Sequence, residues 1–178
     1  MSLLTKSTSI ALWQDVVKEA ENRCSILLKE DIEVYLIAIL TRYMNRPEIA
    51  QKVFATAFLD ALHLRKNERE FSLQEVGDQC LLYAGFFPQA AIKRQVKVKY
   101  FVDIGRAAYI TISRTTHDLY WSLALQFVIL MDVLQSIRCN INLLPLEAYE
   151  QWEELGSQRA LKMLRSYTQG IPFKHIQR

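Results

Sequence analysis

Residues 72–113 read SLQEVGDQCLLYAGFFPQAAIKRQVKVKYFVDIGRAAYITIS, and this stretch decides the fold: two helices with a proline break and a basic loop between them. Ser72-Leu73-Gln74-Glu75 has the form of a capping box, in which the serine and glutamate side chains satisfy each other's orphan backbone N–H groups. The box predicts a helix from Leu73. That helix ends near Phe87, because Pro88 disfavours helical geometry in the residue before it. Two glycines lie inside it, and each costs roughly 1 kcal/mol relative to alanine. At about 100° per residue, Gly77, Cys80, Leu81 and Ala84 fall on one small, smooth face.

The second half, Tyr100 to Ser113, puts Phe101, Gly105, Ala108 and Ile112 together at helical spacing. Two faces with small centres predict a close helix crossing, with Gly77 and Ala84 against Gly105 and Ala108 and the aromatics packed around it. Glycines that make room for a ligand are the alternative. Val96 to Tyr100 alternates as a strand does, so a short extended segment is expected before this second helix.

Asp78 is the polar residue of most interest, one turn into an apolar helix and beside Gly77. A buried carboxylate needs a partner, and the expected ones are Arg94, Arg106, Tyr100 and Tyr109. Such a group either acts in catalysis or orients a ligand, or it pins the crossing of two helices. The pin is the favoured reading. Asp103 and Arg106, three apart on one helix, are read as an ordinary surface pair.

The pattern Gly77-Asp78, Leu81, Ala84-Gly85-Phe86-Phe87-Pro88, Arg94, Tyr100, Gly105 and Ala108-Tyr109, followed by Tyr149, Trp152 and Gly156-Ser157, resembles a family of uncharacterised all-helical bacterial proteins. The resemblance covers most of the chain from about Ile32 onward. It implies a bacterial, cytoplasmic helical protein and supplies no activity, so no catalytic residue is carried over.

With 178 residues, 51% hydrophobic and 23% charged, the chain suits one domain, residues 1–178, with a substantial core. A net charge of +3 is too small to argue for a nucleic-acid partner. The excess lies in residues 90–178, with 12 basic and 7 acidic groups. Lys93, Arg94, Lys97 and Lys99 concentrate part of it in the 93–99 loop, which is read as a solvated loop before a binding surface. Cys24, Cys80 and Cys139 stand apart with no CxxC pair, which suits a reducing compartment, and Cys80 reads as core. The first residues lack the apolar region of a secretory signal, and a cytoplasmic location is expected. No transmembrane segment is expected, since the apolar run from Leu119 is broken by Ser122 and Gln126.

The remaining chain reads as helices throughout. Ile10 to Glu21 carries the stripe Leu12, Trp13, Val16, Val17 and Ala20. Glu30-Asp31-Ile32-Glu33 opens a mostly buried second helix, and Pro47 starts a third that ends at His63, a favourable dipole partner there. The charged segment 65–70 is expected to be a solvated connection. Thr116-His117-Asp118 is expected to cap a nearly fully buried central helix, 119–138. Pro145 starts the next, Gly156 ends or kinks it and Ser157 caps the last, with a mobile tail at 169–178. The predicted architecture is all-α, a single-domain bundle of about seven or eight helices.

Nucleophile elbows, phosphate loops, dinucleotide fingerprints and HExxH are absent, and His63, His117 and His175 have no glutamate at Glu-x-x-His spacing. Neither a metal nor a cofactor is expected. The favoured function is a non-enzymatic helical interaction or regulatory module, homodimeric through an apolar helix face. A small-molecule-binding bundle or enzyme with a pocket near Asp78, Arg94, Tyr100 and Tyr109 is the alternative. Weaker still is nucleic-acid or anionic-surface binding through the 93–99 loop with Arg159, Lys162 and Arg165.

Overall fold

The computed structural model describes residues 2–43, 53–88, 91, 95–138 and 142–168. The expected helix start at Pro47, Lys93 and Arg94, Cys139 and the tail 169–178 lie outside the described residues. Those described form an all-α bundle: α1 (Ser2–Cys24), α2 (Glu30–Tyr43), α3 (Phe54–Leu62), α4 (Lys66–Gly85), α5 (Val98–Ile112), α6 (Leu119–Leu125), α7 (Phe127–Ile137), α8 (Pro145–Leu155) and α9 (Gln158–Tyr167). No strand occurs among them. The extended segment expected over Val96 to Tyr100 is not formed as such: Val98, Lys99 and Tyr100 already belong to α5, and Lys97, its N-cap, is extended at φ −79° and ψ 153°.

α4 begins at Lys66, about two turns before the capping box that was expected to start it. The segment 66–70 is helical because its lysine, arginine and glutamates are good helix formers, and Glu68 in the first turn suits the helix dipole. Ser72 therefore lies inside a helix, and the expected connection at 65–70 is the exposed start of α4. Its second half is the most enclosed stretch among the described residues. Every residue from Val76 to Gly85 is buried, surrounded by α3, α5 and α7.

Small residues make that enclosure sterically feasible. A Cβ on Gly105 would strike the Phe127 ring and lie 2.9 Å from the Cβ of Cys80, and one on Gly77 would lie 2.5 Å from Cε1 of Tyr109. The α4–α5 crossing thus runs through Gly77 and Gly105, with Ala84 and Ala108 fully buried beside it. Gly85 serves a contact that the sequence did not suggest: its Cβ would meet the Cβ of Leu134 on α7 at 2.5 Å. Aromatic rings fill the junction of α3, α4 and α5, where Phe54 meets Tyr83 and Phe101 edge to face at 5.1 and 5.7 Å.

The stretch 119–138 is two helices rather than one. They meet at Gln126 (φ −94°, ψ 11°) and are bent by 72°. A straight helix of that length would span about 30 Å and could not follow both surfaces that these residues cover. α6 lies on α5 and α2, whereas α7 crosses α1 and α4. Burial is concentrated in α7, where Leu130 to Gln135 are all enclosed. No single described helix is long and apolar enough to cross a membrane.

The helix stops and starts near the end follow ordinary cap chemistry. Pro145 is in the first turn of α8, Gly156 ends it at φ 75°, and the Ser157 hydroxyl accepts from Ala160 N at 3.0 Å to cap α9. α1 is longer than its apolar stripe suggested and leaves Leu12 exposed. It ends in a Ser25 of φ 57°, with Ile26 N donating to Glu21 O at 3.0 Å.

Gly105→Ala should destabilise the fold by about 1–3 kcal/mol, because the new methyl is trapped between two helices. Gly156→Ala meets open space and should cost about 1 kcal/mol through its left-handed backbone alone. Urea denaturation of both variants measures the difference.

Candidate functional site

The polar centre of the bundle is Asp78, whose side chain has no solvent exposure. Its Oδ1 accepts hydrogen bonds from the Tyr35 hydroxyl at 2.7 Å and the Tyr109 hydroxyl at 2.8 Å. Gln74 Nε2 donates to the Tyr35 oxygen at 3.1 Å, which fixes that phenol to point its proton at the carboxylate. Oδ2 has no hydrogen-bond partner among the described residues. Among the described residues the nearest countercharge is Arg42 Nη1 at 3.7 Å, on a side chain that is 45% exposed.

Each element contributes for a local reason. Gly77 leaves the space that the Tyr109 ring occupies, so the phenol of α5 reaches the next residue of α4. Tyr35 and Arg42 are seven apart and fall on one side of α2. Tyr120 of α6 stacks on Tyr109 at 6.1 Å and meets Tyr35 edge to face at 6.2 Å, closing the cluster.

Burial is the largest influence on this carboxyl and pushes it up to about 6, against the pull of the Tyr35 and Tyr109 hydrogen bonds and of Arg42. Burial together with the Asp78 charge drives the Tyr35 and Tyr109 phenols far upward, and burial pushes Tyr43 up to about 12. An unfolded aspartate titrates near 3.9. The folded state therefore holds the proton more tightly, and this group favours folding fully below about pH 4. That contribution fades as pH rises through about 6, and the difference amounts to ~3 kcal/mol.

A second buried node joins α7 to the start of α9. Asp132 Oδ1 accepts from the Ser157 hydroxyl at 2.6 Å, and Oδ2 accepts from the backbone N–H groups of Gln158 and Arg159 at 3.0 and 3.3 Å. Beside it Gln135 donates to Ala84 O at 2.9 Å and accepts from Arg159 Nη1 at 2.9 Å. Burial raises the Asp132 carboxyl and lowers the Arg159 guanidinium. Cys24 closes the node from α1, hydrogen-bonded to the Ser136 hydroxyl, and burial raises its thiol.

A cavity of about 530 Å³ opens between the 96–99 segment and α8. Val96, Val98, Leu143 and Leu155 supply apolar wall, and Lys97 and Glu154 its charged rim. None of the Asp78 cluster lines it.

The expected partners of Asp78 are thus dispersed. Tyr109 contacts it, whereas Tyr100 lies at the N-terminus of α3, where its hydroxyl accepts from Ala55 N at 3.1 Å. Arg106 is exposed, and Arg94 lies outside the described residues. Asp103 pairs with Lys99 at 2.7 Å rather than with Arg106, because four residues bring the two heads together on a helix face. In the basic loop, Lys97 is bound by Glu154 at 2.7 Å and Glu150 at 3.5 Å. Among the described residues no group of three His, Cys, Asp or Glu side chains is placed to hold a metal.

Models of known families, curated proteins and solved structures give no match to this chain.

Tyr109→Phe should cost about 2 kcal/mol at pH 8, where it removes a hydrogen bond to a charged carboxylate, and about 1 kcal/mol at pH 4.5, where the acceptor is neutral. Urea titrations at the two pH values give the comparison. Ser157→Ala should cost about 1–2 kcal/mol, losing both the cap of α9 and a donor to Asp132. Thermal unfolding followed by circular dichroism measures that loss.

Proposed function

We propose that this chain is a non-enzymatic helical interaction module that works as a homodimer. The observation that carries the reading is the closure of the Asp78 cluster: carboxylate and Tyr109 are both without solvent exposure, and the surrounding rings pack on one another. A group so enclosed holds helices together and meets no substrate. The apolar residues that face outward in the 119–138 stretch, Leu125 at 62% and Ile129 at 40% exposure, supply the face for a second copy. Gly77, Asp78 and Tyr109, part of the pattern that resembles all-helical bacterial proteins, meet at the node, and Gly105 of the same pattern packs on Phe127 and Cys80. On the sequence resemblance we place the chain with those proteins, in a bacterial cytoplasm.

The cavity beside α8 favours a second reading, a bundle that binds a small apolar molecule, since its volume falls in the ordinary range for ligand pockets. Binding of nucleic acid through the basic loop draws little support, because Lys97 and Lys99 are already paired with acids of the same chain.

Native mass spectrometry of the protein purified gently from its own host separates these readings. A dimer without added mass, converted to monomer by Leu125→Glu with Ile129→Glu at unchanged helix content, is the expected result. A persistent monomer with a reproducible small adduct, lost on Val96→Trp, overturns it in favour of the cavity.

A further inference from the structure

The two oxygens of Asp78 are treated unequally. Oδ1 is saturated by two phenols, while Oδ2 is enclosed, has no hydrogen-bond partner among the described residues and faces Arg42 at a distance too long for a direct hydrogen bond. The two partners also differ in freedom. Asp78 cannot leave the core, but Arg42 is in the last turn of α2 with nearly half of its side chain in water.

We propose that Arg42 and Asp78 form a proton-operated latch, in which the guanidinium closes over Oδ2 when the carboxylate is ionised and swings to solvent when it is neutral, loosening the end of α2 from α4.

The surroundings leave Asp78 as the group that changes charge near neutral pH. From α2, Tyr35, Arg42 and Tyr43 face it; from α4, Gln74 and Glu75; from α5, Tyr109; and from α6, Tyr120. The phenols of Tyr35, Tyr109 and Tyr120 are held above their ordinary values, first by burial and then by the Asp78 charge, so they keep their protons throughout. The guanidinium keeps its charge at every relevant pH. Glu75 adds a negative charge next to the carboxyl and favours the protonated form. The Asp78 carboxyl, held near 6 mainly by burial, places the switch within the range of cellular pH change. Losing the proton makes Oδ2 an enclosed, under-satisfied anion, and Arg42 is the group positioned to answer it.

The experiment is a titration of the folded protein from pH 4.5 to 8, following the Asp78 carboxyl carbon and the Arg42 side-chain nitrogen by NMR. Both signals should move with one midpoint near 6. Arg42→Gln, a change at a half-exposed position, should raise the Asp78 midpoint by about one unit, and 0.5 M salt should raise it in the wild type by screening the guanidinium. An Arg42 signal that stays flat while Asp78 titrates overturns the latch. So does an unchanged midpoint in Arg42→Gln, or an Asp78 midpoint below 4.5. If Asp78→Asn folds, the Arg42 signal should lose its pH dependence; persistence of that dependence counts against the proposal.

Discussion

A carboxylate held out of water is the constraint on which this bundle depends. An ionised group in such a place is costly unless hydrogen bonds and countercharge replace its lost hydration. Asp78 obtains two phenolic protons, one from α2 and one from α5, and both must arrive at the same oxygen. That requirement fixes the distances between α2, α4 and α5 more tightly than apolar contact would. The glycine beside it is the other half of the arrangement, because the Tyr109 ring lies where any larger residue would project. Tyr120 then seals the cluster from α6.

Asp132 plays a comparable role in the other part of the molecule by different means. Its two oxygens are fully engaged, by a hydroxyl and by two backbone N–H groups at the start of α9. The N-terminal end of a helix carries partial positive charge, so this acid is matched by donors and dipole together. Gln135, one turn farther along α7, extends the network to α4 through the carbonyl of Ala84. Leu134 between them packs against Gly85, and polar and apolar contacts therefore register α7 on α4 at the same level. The contrast between the two acids is informative: one is satisfied at both oxygens, the other at one.

The all-helical class, the cap chemistry around Pro145, Gly156 and Ser157, the close packing at Gly77 and Gly105 and the contact of Asp78 with Tyr109 were legible in the sequence because each rests on local spacing or on a residue type with few other uses. What was not legible depended on distance in space. Tyr35 and Arg42 share a face of α2, and that much is visible at a spacing of seven, but only the packing of α2 against α4 says which acid they serve. Tyr100 and Arg106 were plausible partners by chemistry and by proximity in the chain, yet the turn of α5 carries them to other sides. The break at Gln126 has no proline or glycine to announce it. It arises because two surfaces at a steep angle both need covering. Ser72 to Glu75 shows the converse error, a sound local signal overridden by helix-forming residues upstream.

The cap that Asp132 places on α9 also bears on the order in which the molecule can assemble. The start of α9 is specified partly by a side chain from α7 rather than by Ser157 alone, so the last helix acquires its full start signal only against a docked partner. During synthesis Asp132 emerges before the segment that it caps. The α8–α9 hairpin therefore gains this part of its start signal only as it closes onto α7.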